Sequence, residues 1–125
     1  MNRQGFIGGS DCVKIMQGHW LELWQIKTGQ RDSEDLSDNI AVQLGIYTED
    51  FNLEWFEKQQ GCYLVDHQAT FQEDINGVPV QGTVDGIWMA ENAIVEAKHT
   101  NAYNSMDAVI EYYMPQMQLY TRIAD

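Results

Sequence analysis

Three charged residues in the middle of the chain pose the chemical question. Asp85 lies in the run Val84-Asp85-Gly86, and Glu96 and Lys98 lie in the next apolar run, Ala93 to His99. If Glu91-Asn92 is a two-residue hairpin loop, Asp85 stands opposite Lys98 and Ile87 opposite Glu96. Alternate side chains of a strand share a face, so Asp85, Glu96 and Lys98 then emerge on one patch. Two carboxylates projecting to one side make a hard oxygen site suited to Mg²⁺ or Mn²⁺. A lysine beside them can orient or help deprotonate a water and stabilise charge on a phosphate in the transition state. The combination suits phosphodiester hydrolysis. The plainer alternative is a salt-bridge cluster on the surface of a twisted hairpin, and hairpin parity alone favours it, since charged residues are common on exposed strand faces.

Helices and strands must position this patch. Ser10-Asp11 precedes an apolar run to Met16 as a helix start, and a second run from His19 to Thr28 is closed by Gly29. The polar stretch from Gln30 to Asp38 reads as a surface loop. From Asn39 to Gln60, Ile40, Leu44, Tyr47, Phe51 and Trp55 recur at helical spacing, with Gly61 as terminator. A second stripe on that helix, Val42, Ile46, Glu49, Leu53 and Phe56, carries one carboxylate among apolar neighbours, so Glu49 is expected half-buried and able to add a third acid. A boundary carboxylate meeting water or a lysine explains it equally well on this ground.

Tyr63 to Glu73 and Val78 to Ala90 are rich in β-branched and aromatic residues, and Asn76-Gly77 between them signals a hairpin. With Ala93 to His99 these runs predict an antiparallel three-stranded meander. Asn104 or Ser105 starts a helical turn from Met106 to Tyr112, and Pro115 opens a last helix to Ile123 at its first position. The fold class is α/β of the α+β type, with helices flanking the meander.

The chain has 125 residues, which suits one domain, and 44% of them are hydrophobic, which argues against disorder. Seven Lys and Arg against nineteen Asp and Glu leave a net charge of −12, so bulk charge gives no affinity for phosphates or anionic lipid. Cys12 and Cys62 lack paired spacing, which fits a reducing cytoplasm and neither a zinc site nor a disulfide framework. No apolar run reaches the roughly 20 residues of a membrane span, and no signal-peptide core follows Met1. His19, His67 and His99 are scattered without ligand spacing, and alternation points His99 away from the patch. Trp20, Trp24, Tyr112, Tyr113 and Met114 are assigned to packing.

The order of the chemical residues adds a resemblance. Asp85, then Glu96-Ala97-Lys98 as E-x-K on the next strand, resembles the PD-(D/E)XK nuclease core with its restriction-endonuclease-like fold. The blocks Arg3 to Asp11, Leu23 to Gly29, and Leu44-Gly45 with Glu49 look like the phage YqaJ-type exonucleases related to lambda exonuclease. Gln116 to Tyr120 is similar to the Q-x-x-x-Y pattern of the RecB-like branch. An E-x-K alone is weak, but these blocks in this order, from about Arg3 to Ile123, are specific.

The resemblance implies a role for each matching position. Asp85 and Glu96 bind a catalytic Mg²⁺ or Mn²⁺, the Ala97 carbonyl completes the shell, and Lys98 positions the attacking water. Glu49 is the helix carboxylate near the metals. Gln116 and Tyr120 sit beside the active site, and Arg3 and Ser10 hold a DNA 5′ phosphate, a role suited to a forked cation and a helix-start hydroxyl. A plain helix N-cap explains Ser10 equally well. The implied activity is 5′-to-3′ exonucleolytic hydrolysis of linear duplex DNA in phage-type recombination. It would act in the cytoplasm of a phage-infected or prophage-bearing host, with a single-strand annealing protein as partner and a homo-oligomer as assembly. Relatives continue with further strands past the Q-x-x-x-Y helix, so the chain reads as a minimal form, a truncated product or a fragment. The acidic balance, short of the Lys and Arg that line DNA grooves, motivates the rival reading of a non-catalytic acidic interaction module on a nuclease scaffold.

Overall fold

A computed structural model describes residues 5–124 of the chain. They form four α-helices and four short strands: α1 Gly9–Met16, α2 Trp20–Lys27, α3 Ile40–Gln60, β1 Thr70–Ile75, β2 Val78–Thr83, β3 Gly86–Trp88, β4 Ala93–Val95 and α4 Met106–Ile123. The class is α+β. The strands form two antiparallel pairs, β1 with β2 and β3 with β4, in place of one three-stranded meander. The described residues divide into two compact units: residues 5–34, 70–82 and 103–124 belong to the first, and residues 35–69 and 83–102 to the second. No described helix is long and apolar enough to cross a membrane.

In the first unit α1 begins at Gly8, not at Ser10. The Asp11 carboxylate turns back to accept from the Gly8 N–H at 2.8 Å, satisfying one of the donors a helix start leaves open. Asp11 is buried and also meets Lys27 of α2 at 2.8 Å, while Lys27 covers the Phe6 ring. Leu23 and Lys27 thus form the inward side of α2. Trp20 and Trp24 point outward, 67% and 54% exposed, so they do not serve packing as the sequence suggested; Tyr112 and Met114 are exposed as well. The β1–β2 turn is as expected, with Asn76 and Gly77 both at positive φ and the Gly77 N–H bonded to Asp74.

One helix, α4, replaces the two expected ones. Ser105 caps it by accepting from the Ala108 N–H, and Pro115 lies inside it. Proline there forfeits a helical hydrogen bond, at a cost of about 3 kcal/mol. Continuity is recovered by packing: Gln116 and Tyr120, one turn apart and both buried, close on Gly9 of α1, and Tyr120 with Ile123 closes on Gly82 of β2.

The second unit is built on α3. Asn39 caps it by accepting from the Val42 N–H, and Gly61 ends it at φ +63°. The packed side carries the buried Leu53 with the half-buried Glu49 and Phe56, while Ile46 of the same stripe is as exposed as Phe51; Ile40, Leu44, Tyr47, Phe51 and Trp55 also face outward. Asn39→Ala is expected to cost about 1 kcal/mol, read as a lower urea midpoint at unchanged m-value.

Candidate active site

Beyond Gly61 the chain turns back on itself. The Leu64 N–H donates to Glu57 at 2.7 Å, Leu64 packs against Gly86, and Val65 pairs with Ile87 through bonds of 2.9 and 2.8 Å. Asp66 and Gln68 follow at φ +53° and +56°, and the Val84 N–H reaches the Ala69 carbonyl at 3.0 Å. This course brings residue 68 to the end of β3, where Asp85 lies.

The β3–β4 register pairs Gly86 with Val95, Ile87 with Ile94 and Trp88 with Ala93. The loop is longer than two residues, because a 3₁₀ turn at Met89–Glu91 and a left-handed Asn92 close it. Asp85 therefore meets Glu96, in place of the expected Lys98, and Ile87 meets Ile94 in place of Glu96. A slip of two residues keeps every side chain on its face. The two acids cap the end of the ladder reciprocally. The Asp85 N–H donates to Glu96 Oε1 at 3.0 Å, and the Ala97 N–H donates to Asp85 Oδ2 at 2.8 Å. Lys98 Nζ stands 3.7 Å from Glu96 Oε2.

Glu49, half-buried on α3, reaches the same place. Its carboxyl is pushed up to about 7, first by a hydrogen bond shared with Asp85, then by burial and by the charge of Asp85. Glu96 is likewise pushed up to about 7, by burial first and then by the Asp85 charge, against which its bond from the Asp85 N–H and the charge of Lys98 act. A residue the sequence reading missed completes the group: Gln68 Nε2 donates to Asp85 Oδ1 at 3.2 Å and to Glu49 Oε1 at 3.4 Å. Nothing in a polar loop residue such as Gln68 announced this; its left-handed backbone is visible only in the fold.

A cleft of about 380 Å³ opens beside the acids, lined by Glu49, Ala97 and Lys98 and by Val42, Gly45 and Ile46 of α3. His99 lines it too, with its Cβ against Gly45. Strand alternation does not turn His99 away, because β4 stops at Val95. A larger cavity, about 640 Å³, lies in the first unit between α1 and α4, but its walls are mainly apolar and carry Glu111 as their one acid.

Of the other sequence candidates, Gln116 donates through Nε2 to the Tyr120 hydroxyl at 2.9 Å, and both belong to the first unit. Ser10 is exposed in the first turn of α1, so the plain N-cap role is overturned: Gly8 holds that position. Arg3 lies outside the described residues.

The donor set fits a hard divalent cation. Asp85, Glu96 and Glu49 offer carboxylate oxygens with unused lone pairs, and the acids lie close enough to raise two of their own affinities for protons. They meet pairwise through Asp85, and no three acidic, histidine or cysteine side chains among the described residues form a ready-made cage.

The raised carboxyls have a consequence for stability. Their ordinary value is 4.5, so the folded chain holds protons that the unfolded chain releases at intermediate pH. This contribution is fully present below about pH 4.5 and is lost as pH rises through about 7. After allowance for the partial exposure of Glu49 it is on the order of 2 kcal/mol. In EDTA, the Tm should fall by about 5–10 °C between pH 5 and pH 8, and saturating Mn²⁺ should flatten that slope. A Tm in EDTA that rises over this range contradicts the burial of the acids.

Comparison with known proteins places the chain. It is 31% identical over 128 residues to the uncharacterized protein YqaJ of Bacillus subtilis (strain 168), a match covering 96% of this chain and 40% of that relative. The chain thus spans well under half of the relative's length. No solved structure matches it. The model of the YqaJ-like viral recombinase domain matches residues 1–125, and with that match end to end the chain belongs to the family of YqaJ-like viral recombinase domains.

Proposed function

We propose that the chain is a divalent-metal-dependent nuclease domain that hydrolyses DNA phosphodiesters, as a 5′-to-3′ exonuclease on linear duplex DNA in phage-type recombination. Membership in a viral recombinase family supports DNA as the substrate. The observation that carries the chemistry is the meeting of Glu49, Asp85 and Glu96 with Lys98 beside a cleft.

In this reading Asp85 and Glu96, with the Ala97 carbonyl and Glu49, hold Mg²⁺ or Mn²⁺. A cation held there would offset phosphate charge and would make a nearby water more acidic. Lys98 Nζ donates a hydrogen bond to the attacking water and holds its lone pair toward phosphorus. The water oxygen bonds to phosphorus as its proton passes to solvent, the bond from phosphorus to the bridging oxygen breaks with its electron pair left on that oxygen, and that oxygen takes up a proton from a second water. Glu96 keeps the ammonium of Lys98 near the site, and the two backbone N–H bonds to the acids fix their angles before substrate arrives. Arg3 and Ser10 are the residues for the 5′ phosphate, and a homo-oligomer and a single-strand annealing protein are the partners.

The test compares linear 5′-phosphorylated duplex with covalently closed circular DNA of the same sequence in Mn²⁺. An exonuclease degrades the first and spares the second. Equal cleavage of both overturns the exonuclease assignment. No cleavage of either, with no shift of Tm on adding Mg²⁺ or Mn²⁺, favours the acidic interaction module, for which the net charge of −12 is the motive.

A further inference from the structure

Gln68 is a neutral side chain bonded to two of the three acids. Its backbone is held on both sides. Val65 is bridged to Ile87, the Ala69 N–H bonds the Asp66 carbonyl at 3.0 Å, and the Ala69 carbonyl is tied to Val84. From that anchored backbone the exposed side chain places its amide against Glu49 and Asp85, and one of its freedoms is rotation about the last side-chain bond. That rotation exchanges Nε2 for Oε1 at nearly one position. With nitrogen inward the amide donates to two carboxylates. With oxygen inward it repels them, unless a cation lies between, in which case an amide carbonyl is a hard oxygen ligand like those of divalent-cation sites.

Resting on the metal-site reading above, we propose that Gln68 is a further ligand of the divalent cation: its amide turns over on metal binding and presents Oε1 where Nε2 now bridges Glu49 and Asp85. The same side chain then serves both states. Without metal it bonds two crowded acids; with metal it adds a neutral oxygen that leaves the charge of the site unchanged.

The experiment is Mn²⁺ titration calorimetry without DNA on the 125-residue chain, its Asp85→Ala variant, Gln68→Met and Gln68→Glu. Methionine keeps the length and removes the oxygen, and glutamate keeps an oxygen in place. A ligand role predicts that Gln68→Met weakens Mn²⁺ binding about tenfold or more and that Gln68→Glu binds at least as tightly as the parent. If Gln68 only blocks the space, Gln68→Met binds as tightly as the parent or tighter, and the proposal fails. Should Gln68→Met not fold, Gln68→Glu decides, since weaker binding there overturns it. Parent binding that Asp85→Ala leaves intact, or no parent binding at all, overturns the metal-site reading and this inference with it. Parent binding lost in Asp85→Ala but unchanged in Gln68→Met overturns this inference alone.

Discussion

On the proposed nuclease reading, Lys98→Ala is expected to lower DNA hydrolysis by about 10²–10⁴-fold while leaving Mn²⁺ affinity within a few-fold of the parent. The expectation follows from position. Lys98 stands beside Glu96 at 3.7 Å and lines the cleft, but an ammonium is no ligand for a cation. In the proposed mechanism its loss would remove a donor from the water and a positive charge from the transition state, and both terms would act on the rate. Glu96 loses the opposing charge of Lys98, so its carboxyl should rise further and metal binding should weaken slightly at pH 6. Steady-state kinetics at saturating Mn²⁺, with calorimetry alongside, separate the two effects. A variant that keeps its rate removes Lys98 from the mechanism.

The second large effect is on stability. Gly82→Ala places a Cβ 2.5 Å from the Tyr120 ring and 3.1 Å from Ile123. Tyr120 is buried between Gly82 and Gly9 and cannot retreat toward Gly9, where a Cβ would itself stand 2.8 Å from the same ring. The change should cost about 2–3 kcal/mol and lower Tm by about 10 °C. Gly5→Ala, with nothing within 4 Å of the added atom and no positive φ, is the matched control and should be nearly neutral. If Gly82→Ala unfolds at the parent temperature, the close approach of α4 to β2 is wrong.

How much of this was readable beforehand depended on how local each signal is. The bounds of α3 were legible because Asn39 and Gly61 act through their own backbone, as acceptor for Val42 and as a left-handed stop. The Asn76-Gly77 turn was legible for the same reason. The face of α3 that packs was harder, since both stripes are apolar and only the fold shows that Leu53 is buried beside Glu49 while Ile46, Phe51 and Trp55 are not. The β3–β4 register was misjudged because Met89–Glu91 closes a 3₁₀ turn that composition does not signal, yet Asp85, Glu96 and Lys98 still meet, through bonds just beyond the end of the ladder. Pro115 misled through propensity, which the packing of Gln116 and Tyr120 on Gly9 overrides. Gln68 was invisible for a different reason: its place depends on Leu64 reaching Gly86 and on two left-handed residues.

The central claim is that the meeting of acids around Asp85 is a metal-dependent nuclease site. The most direct measurement is release of acid-soluble nucleotides from linear 5′-phosphorylated duplex DNA in Mg²⁺ or Mn²⁺, by the 125-residue chain and by its Glu96→Ala variant. The account predicts release by the parent, abolished by EDTA and by Glu96→Ala. Release that persists in the folded Glu96→Ala variant, or no release by a parent shown by calorimetry to bind the metal, contradicts it.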